Sequence, residues 1–356
     1  MPRLNEFREK IKGLEIDAAL ILNEVNQHYL CDFPFQDGYL FITQRDAYLV
    51  TDFRYYEAAL EKRNLEFEVL SPRDRSNTLR ELISSTGTRT VGFEGAYLPY
   101  SDYLAYKDKF SDISFVDLGC IIEDLREIKT QIEIDKMQRA QDITDAAFSH
   151  LLKNIRRDMT EIEVAAELEY AMRRLGADCA AFETIAVSGD ASAVPHGTPR
   201  PIKLKDGFLT LDFGAKFGGY CADMTRTLVI GRANAEIKKL YNTVLSAQCA
   251  ALEFLKAGVR PSDADAVARD IINSHPEYKG SFGHSLGHSV GLMVHESPAL
   301  SLRAKRDAVR VGEIYTVEPG IYLSGRFGCR IEDMVKIEKS GVYNFTHSTK
   351  ELIEIF

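Results

Sequence analysis

The sequence predicts an α/β domain over residues 1–126 followed by an α+β domain over residues 127–356. Three observations carry that reading. Short apolar runs alternate with amphipathic stretches as far as about residue 125, the pattern of a small layered unit. A boundary falls near Lys129, after which two capping boxes, Thr130 with Glu133 and Thr160 with Glu163, each open a long helix. Beyond them, helices and hairpins recur in similar order in two halves, which hints at an internal duplication. A chain of 356 residues is long for one core and comfortable for two.

In the first domain, residues 18–22, 39–42, 47–50, 67–70 and 90–93 read as strands, and 5–12, 53–62, 78–84 and 101–110 as helices between them. It holds no Gly-rich phosphate loop. In the second, the first helix carries Ile132, Met137, Ala140, Ala147, Phe148 and Leu151 on its apolar side. The next carries Ile162, Val164, Ala165, Leu168 and Met172 and stops at Gly176. Two further helices, 234–255 and 262–273, open on Asn234 and Ser262, both N-cap types.

The net charge of −9 argues against a nucleic-acid or anionic-membrane partner and serves solubility. Six cysteines without a CxxC pair suit reduced thiols, and the charged N-terminal stretch lacks the apolar run of a signal peptide. No apolar run is long enough to span a membrane, so a cytoplasmic protein is expected.

The chemistry concentrates in FGHSLGHSVGLMVHE, residues 282–296, which holds His284, His288 and His295. Imidazole is a common metal ligand, and glycines at 283, 287 and 291 permit close approach of the backbone. A helical HExxH site is excluded, because no Glu follows His284. Other ligands must come from elsewhere. The strand FLTLDF carries Asp212 and YCADMTRTLVI carries Asp223, joined by GAKFGG. A turn centred on Phe217–Gly218 would set the two carboxylates directly opposite each other. A second hairpin, turning near Gly325, would likewise pair Glu318 with Glu332 and place Arg330 on the same face.

Each carboxylate alone could be an exposed strand residue, and Asp212-Phe213-Gly214 matches a kinase metal motif without the loops a kinase needs. Four on apolar strands are different, because a buried unpartnered carboxylate costs several kcal/mol. Two divalent cations would balance them. Oxygen-rich ligation with one imidazole suits Mn²⁺ or Co²⁺, with Fe²⁺ and Zn²⁺ as alternatives.

The set LDFGA, YCADMTRT, FGHSLGHSVGLMVHE, VEPGIY and RIED, with the His196 loop, resembles the Xaa-Pro peptidases, prolidase and aminopeptidase P, of the pita-bread metallopeptidases. The alternation in the first domain resembles their creatinase-type N-terminal domain, and the resemblance implies pseudo-twofold symmetry in the second. It implies that Asp212, Asp223, His288, Glu318 and Glu332 hold two metal ions, Mn²⁺ first among them, with Asp223 and Glu332 bridging. Asp212 would belong to one ion, His288 and Glu318 to the other. His196, His284 and His295 would face the substrate, and Arg330 would support the site or face the substrate. The implied reaction is attack on the carbonyl before proline by a metal-bridging hydroxide, with Glu318 carrying a proton to the leaving nitrogen. Short proline-containing peptides as substrates and a homodimer are implied too.

Some dipeptidase-type relatives carry HExPR, whose Arg can grip a dipeptide's carboxylate; here the run is His295-Glu296-Ser297-Pro298-Ala299. Arg303, Arg306 or Arg330 are the candidate substitutes, and dipeptidase and aminopeptidase P stay balanced. Cys329 before Arg330 raises the prospect of an oxidation-sensitive site. The rival readings are a creatinase-type C–N hydrolase or a non-catalytic peptide-binding module, both of which lack the ligands kept here.

Overall fold

The computed structural model describes residues 2–62 and 66–356. They divide into two compact units, Met1–Arg126 and Glu127–Phe356.

The first unit contains helices α1 (Pro2–Gly13), α2 (Glu24–Cys31), α3 (Phe53–Glu61), α4 (Arg75–Thr86), α5 (Tyr100–Lys109) and α6 (Ile121–Glu127). Its strands are β1 (Ala18–Ile21), β2 (Tyr39–Thr43), β3 (Ala47–Val50), β4 (Glu68–Leu70), β5 (Thr90–Phe93) and β6 (Ser114–Asp117). They form one mixed sheet in the order β4-β3-β2-β1-β5-β6, packed through Leu20, Phe41, Leu79 and Val91. The sequence reading omitted α2, β6 and α6. Helix α2 buries Asn26 and Gln27 and is opened by the Asn23 side chain, so apolar periodicity does not mark it. Strand β6 is a short edge strand with no fully buried residue.

The second unit begins with α7 (Gln131–Asn154) and α8 (Glu161–Arg174), each opened by its expected capping box. Strands β7 (Cys179–Ala180), β8 (Ile185–Ser188), β9 (Gly207–Phe213), β10 (Ala215–Phe217), β11 (Tyr220–Cys221) and β12 (Met224–Ile230) follow. The second half repeats the plan with α9 (Ala235–Phe254), α10 (Pro261–Asn273), β13 (Gly287–Ser289), β14 (Glu296–Leu300), β15 (Ile314–Val317), β16 (Gly320–Leu323), β17 (Phe327–Arg330), β18 (Asp333–Glu338) and β19 (Gly341–Asn344). A last strand, β20 (Glu354–Ile355), joins the first half's sheet, giving the orders β20-β12-β9-β8 and β14-β13-β15-β18-β19.

Two helices then lie against each half's hairpin, α7 and α8 through Phe148, Leu168 and Leu211, α9 and α10 through Leu240, Ala268 and Tyr315. Ile132 and Ile162 are corrections to the apolar faces. At 71% and 45% exposure they sit in the first turn of their helices, turned to solvent. Ser262 is not a cap either. Helix α10 starts at Pro261, whose fixed φ suits a first helical position, behind Arg260, which makes no side-chain cap bond.

The first hairpin differs from expectation by two residues. Gly218 and Gly219, with φ of 56° and 84°, form the two-residue turn themselves. Asp212 therefore opposes Thr225, and in the same register Asp223 falls opposite Gly214. A shift of two keeps the face, so the carboxylates are diagonal neighbours. In the second hairpin Val317 opposes Asp333 and Gly320 opposes Arg330. That register sets Glu318 against Glu332, as the sequence reading had it.

Candidate metal centre

Several of the carboxylates and histidines sit where ladders stop. Asp212 is the next-to-last residue of β9, where its ladder with β8 ends, Asp223 lies between β11 and β12, Glu318 follows β15, and Glu332 lies between β17 and β18. His288 is central in β13, and His295 immediately precedes β14. Glycine is required where backbones close in: a Cβ on Gly214 would lie 1.9 Å from Ala222 O, and one on Gly287 1.9 Å from Thr316 O. Hydrogen bonds join the halves here, among them Glu332 N to Thr225 O at 3.1 Å and Thr227 Oγ1 to Arg330 O at 2.8 Å.

The five expected metal ligands, the three other expected site histidines and Arg330 line one cavity of about 450 Å³. His196 enters from the loop after a 3-10 turn, Gly189–Ala193. Asp223, His288 and Glu332 offer ligand atoms within 4.8 Å of one another. His288 Nε2 lies 3.6 Å from Asp223 Oδ2 and 3.3 Å from Glu318 Oε1. Its Nδ1 faces Ser289 O at 3.2 Å, so Nδ1 carries the proton and Nε2 presents its lone pair to the carboxylates.

Apart from Arg330, the supporting residues were not singled out from sequence. Thr225 Oγ1 donates to Glu332 Oε2 at 2.6 Å, and Thr316 Oγ1 to Glu318 Oε1 at 3.2 Å. Arg330 donates to Asp212 Oδ2 at 2.5 Å, Tyr322 OH at 2.7 Å, Thr225 Oγ1 at 2.9 Å and Pro195 O at 3.3 Å. Having accepted from Arg330, the Tyr322 hydroxyl donates to His284 Nε2 at 3.0 Å, and His284 Nδ1 donates to Ser285 O at 2.9 Å. The one available signal was spacing: Tyr322 ends VEPGIY and Thr225 lies two residues past Asp223.

Burial, then the repulsion of Glu332, Asp212 and Glu318, pushes the Asp223 carboxyl well above the usual range. Burial followed by Glu318 and Asp212 does the same to Glu332. Burial, only partly offset by Arg330, pushes Glu318 up to about 8. His284 and His288 are pushed down to about 4, mainly by burial, with Arg330 and His295 respectively adding to it. Neutral imidazole is the ligating form.

Among the described residues the buried Asp212 Oδ1 has no hydrogen-bond partner. An orphaned carboxylate oxygen, a lone pair on His288 Nε2 and four carboxylates against one guanidinium fit divalent cations of the oxygen-preferring kind.

Two sequence expectations are corrected here. Cys329 is fully buried and its thiol is pushed up to about 12 by burial, so it is not a reactive thiolate. Arg306 is committed to Glu127 at 2.6 Å and Glu313 at 2.8 Å, and among the described residues neither it nor Arg303 lines the cavity.

The sequence matches the model of metallopeptidase family M24 over residues 135–339 and that of the creatinase/prolidase N-terminal domain over residues 3–128. An Xaa-Pro dipeptidase of Pyrococcus horikoshii is 37% identical over 353 residues, covering 99% of this chain and 97% of that one. A solved Xaa-Pro dipeptidase from Bacillus anthracis superposes with a TM-score of 0.94 at 38% identity, covering 100% and 99% of the two chains. An X-Pro aminopeptidase from Thermotoga maritima gives 0.91 at 36% identity, covering 98% of each. Cavity, donor set and both domains thus lead to one place: the chain belongs to the M24 metallopeptidases, as an Xaa-Pro peptidase of pita-bread fold with a creatinase-type N-terminal domain, a family that uses divalent metal ions.

Proposed function

We propose that this enzyme hydrolyses the Xaa-Pro bond at the N-terminus of dipeptides and short peptides, holding two divalent cations with Asp212, Asp223, His288, Glu318 and Glu332. The observation that carries the reading is the convergence of these five side chains on one cavity, with Asp212 Oδ1 unpartnered and His288 Nε2 facing the carboxylates. Mn²⁺ suits the donor set first, ahead of Co²⁺, Zn²⁺ and Fe²⁺. Divalent cations, when bound, polarise a carbonyl and lower the pKa of a water towards neutrality, which supplies a hydroxide nucleophile.

The chain's own groups do the rest. Glu318 carries a proton towards the leaving imino nitrogen. His295 hydrogen-bonds the substrate carbonyl and the oxyanion it becomes, and His284, its tautomer set by Tyr322 and Ser285, positions the substrate. His196 closes the substrate side, and Arg330 holds Asp212. Residues 127–356 form the catalytic domain and residues 1–126 the creatinase-like one, in a cytoplasmic homodimer.

Among the described residues Arg330 is the one Lys or Arg lining the cavity, and its guanidinium already has four partners. That favours acceptance of a tripeptide as well as a dipeptide. The test is cleavage of Ala-Pro against Ala-Pro-Ala by Mn²⁺-loaded protein, with Glu318→Ala as control. Cleavage of neither, with metal stoichiometrically bound, would overturn the enzymatic reading.

A further inference from the structure

The loop that brings His196 to the cavity is held at both ends by one buried carboxylate. Glu161, first residue of α8, has a fully buried side chain. Its Oε1 accepts from Ser188 N at 2.7 Å, Ser188 Oγ at 2.7 Å and Arg200 Nη2 at 2.6 Å. Its Oε2 accepts from Arg200 N at 3.0 Å and Arg200 Nε at 2.8 Å. Arg200 Nη2 also donates to Ser188 O at 3.1 Å. Ser188 is the last residue before the loop and Arg200 the first after its cavity-lining run from Pro195 to Pro199. Between the ends, Ser192 Oγ accepts from Gly328 N at 3.0 Å, and Pro195 O accepts from Arg330.

The second half repeats the device. Asp265 of α10, also fully buried, pairs with Arg269 and accepts from Leu286 N at 2.9 Å. Arg269 donates to Phe282 O at 2.6 Å and His284 O at 2.7 Å, the segment that carries His284. In both halves a carboxylate on the second helix, together with an arginine, fixes backbone of the segment that carries a cavity-lining histidine. Burial of a charge is costly, and an ion pair of this kind is poor evidence for stability alone. What it supplies is geometric specification of the loop.

We propose that Glu161 and Arg200 are positioning residues for substrate recognition, acting through His196 by clasping the two ends of its loop. The inference rests on His196 facing the substrate, as assigned under the proposed function. Neither residue touches the candidate metal ligands, so the clasp sets substrate binding and leaves metal binding alone.

The test is a double-mutant cycle on Mn²⁺-loaded enzyme with Ala-Pro-Ala, using His196→Ala, Arg200→Met and both together. Because Arg200→Met leaves Glu161 without its main partner, Arg200→Lys, which keeps the charge and loses the fork, is the folding-safe variant. Hydrogen exchange of residues 189–199 and metal stoichiometry are read alongside. The expected result for Arg200→Met is a roughly 10- to 100-fold fall in kcat/KM, carried mainly by KM. Arg200→Lys should recover part of it. Loop exchange should quicken while metal content stays unchanged, and the double variant should be no worse than His196→Ala. Additive losses, or a His196→Ala loss with Arg200→Met and Arg200→Lys both at wild-type kcat/KM, would overturn the clasp and leave the site reading standing. A His196→Ala enzyme with wild-type kinetics would overturn the role of His196, and the clasp with it.

Discussion

Replacing Arg226 with Met tests whether the catalytic unit is tied together at its centre. Arg226 is the largest of the fully buried side chains, at 1% exposure in the middle of β12. It donates to Asp333 Oδ1 at 2.8 Å, Glu332 O at 2.5 Å, Thr225 O at 2.9 Å, Ser348 O at 2.9 Å and Thr349 O at 3.0 Å. These bonds cross from the first half's hairpin to the second and to the C-terminal segment. Removing one partner of a buried ion pair costs ~3–5 kcal/mol. Two circumstances moderate this. Asp333 keeps Lys350 Nζ at 2.7 Å and Asn344 Nδ2 at 2.9 Å, and Met fills most of the volume, so no large cavity opens. The stranded carbonyls act the other way, at ~1 kcal/mol for each lost bond that water does not replace. A net loss of about 4 kcal/mol follows, a fall in Tm on the order of 10 °C for a unit of this size. Differential scanning calorimetry of the metal-loaded full chain measures it. A fall of less than about 2 °C would refute the reasoning, because it would mean that Asp333 and the carbonyls are satisfied without Arg226.

Three further outcomes follow from the same structure. Thr225→Val removes the donor to Glu332 and the acceptor of Arg330 Nε, and should weaken metal binding by roughly 10- to 100-fold with the fold intact, as read by competition with a chelating dye. In metal-free protein the Asp223, Glu318 and Glu332 carboxyls titrate above their unfolded values, so their contribution is full below about pH 4 and is lost as pH rises through about 8 for Glu318. The Tm of metal-free protein should therefore fall between about pH 5 and 8, and the stabilisation by added Mn²⁺ should grow over the same window; a flat difference between the two curves would contradict it. A disulfide-exchange reagent should label Cys120, Cys179 and Cys249 in native protein and spare Cys31, Cys221 and Cys329, which are buried with thiols pushed up to about 12; mass spectrometry of labelled peptides decides.

What could be read from the letters was local. The capping boxes at Thr130 and Thr160 announce themselves because side chain and backbone answer each other within three residues. The second hairpin's register follows from a glycine at 325 that adopts a φ of 70°. The first hairpin was misjudged because GAKFGG offers more than one turn centre, and only the backbone shows that Gly218 and Gly219 both take positive φ. Ile132 and Ile162 were counted as core because apolar identity does not say which way a first turn faces. The clasps were illegible for another reason. Glu161 and Arg200 are 39 residues apart, and a Glu at the start of a helix reads as a favourable charge at its dipole rather than as a buried anchor. Arg226 stands between two threonines in the letters, where nothing marks it as a buried tie to Asp333, 107 residues on.

The position of the carboxylates has a physical cause. A residue in mid-ladder has its backbone direction set by both neighbours, and its carboxylate would have to reach over the sheet face. Asp223, Glu318 and Glu332 occupy gaps between paired segments, where the chain can tilt a short acidic side chain into the space between the halves. A gap frees backbone N–H groups, and buried ones must be satisfied elsewhere. They are satisfied across the site: Glu332 N by Thr225 O at 3.1 Å and Glu318 N by Leu286 O at 2.8 Å. The gaps at Glu318 and Glu332 are therefore also stitches between elements. Glu318 and Glu332, two of the proposed metal ligands, thus also hold the hairpins together by their backbones, which keeps the carboxylates assembled despite the mutual repulsion of their charges.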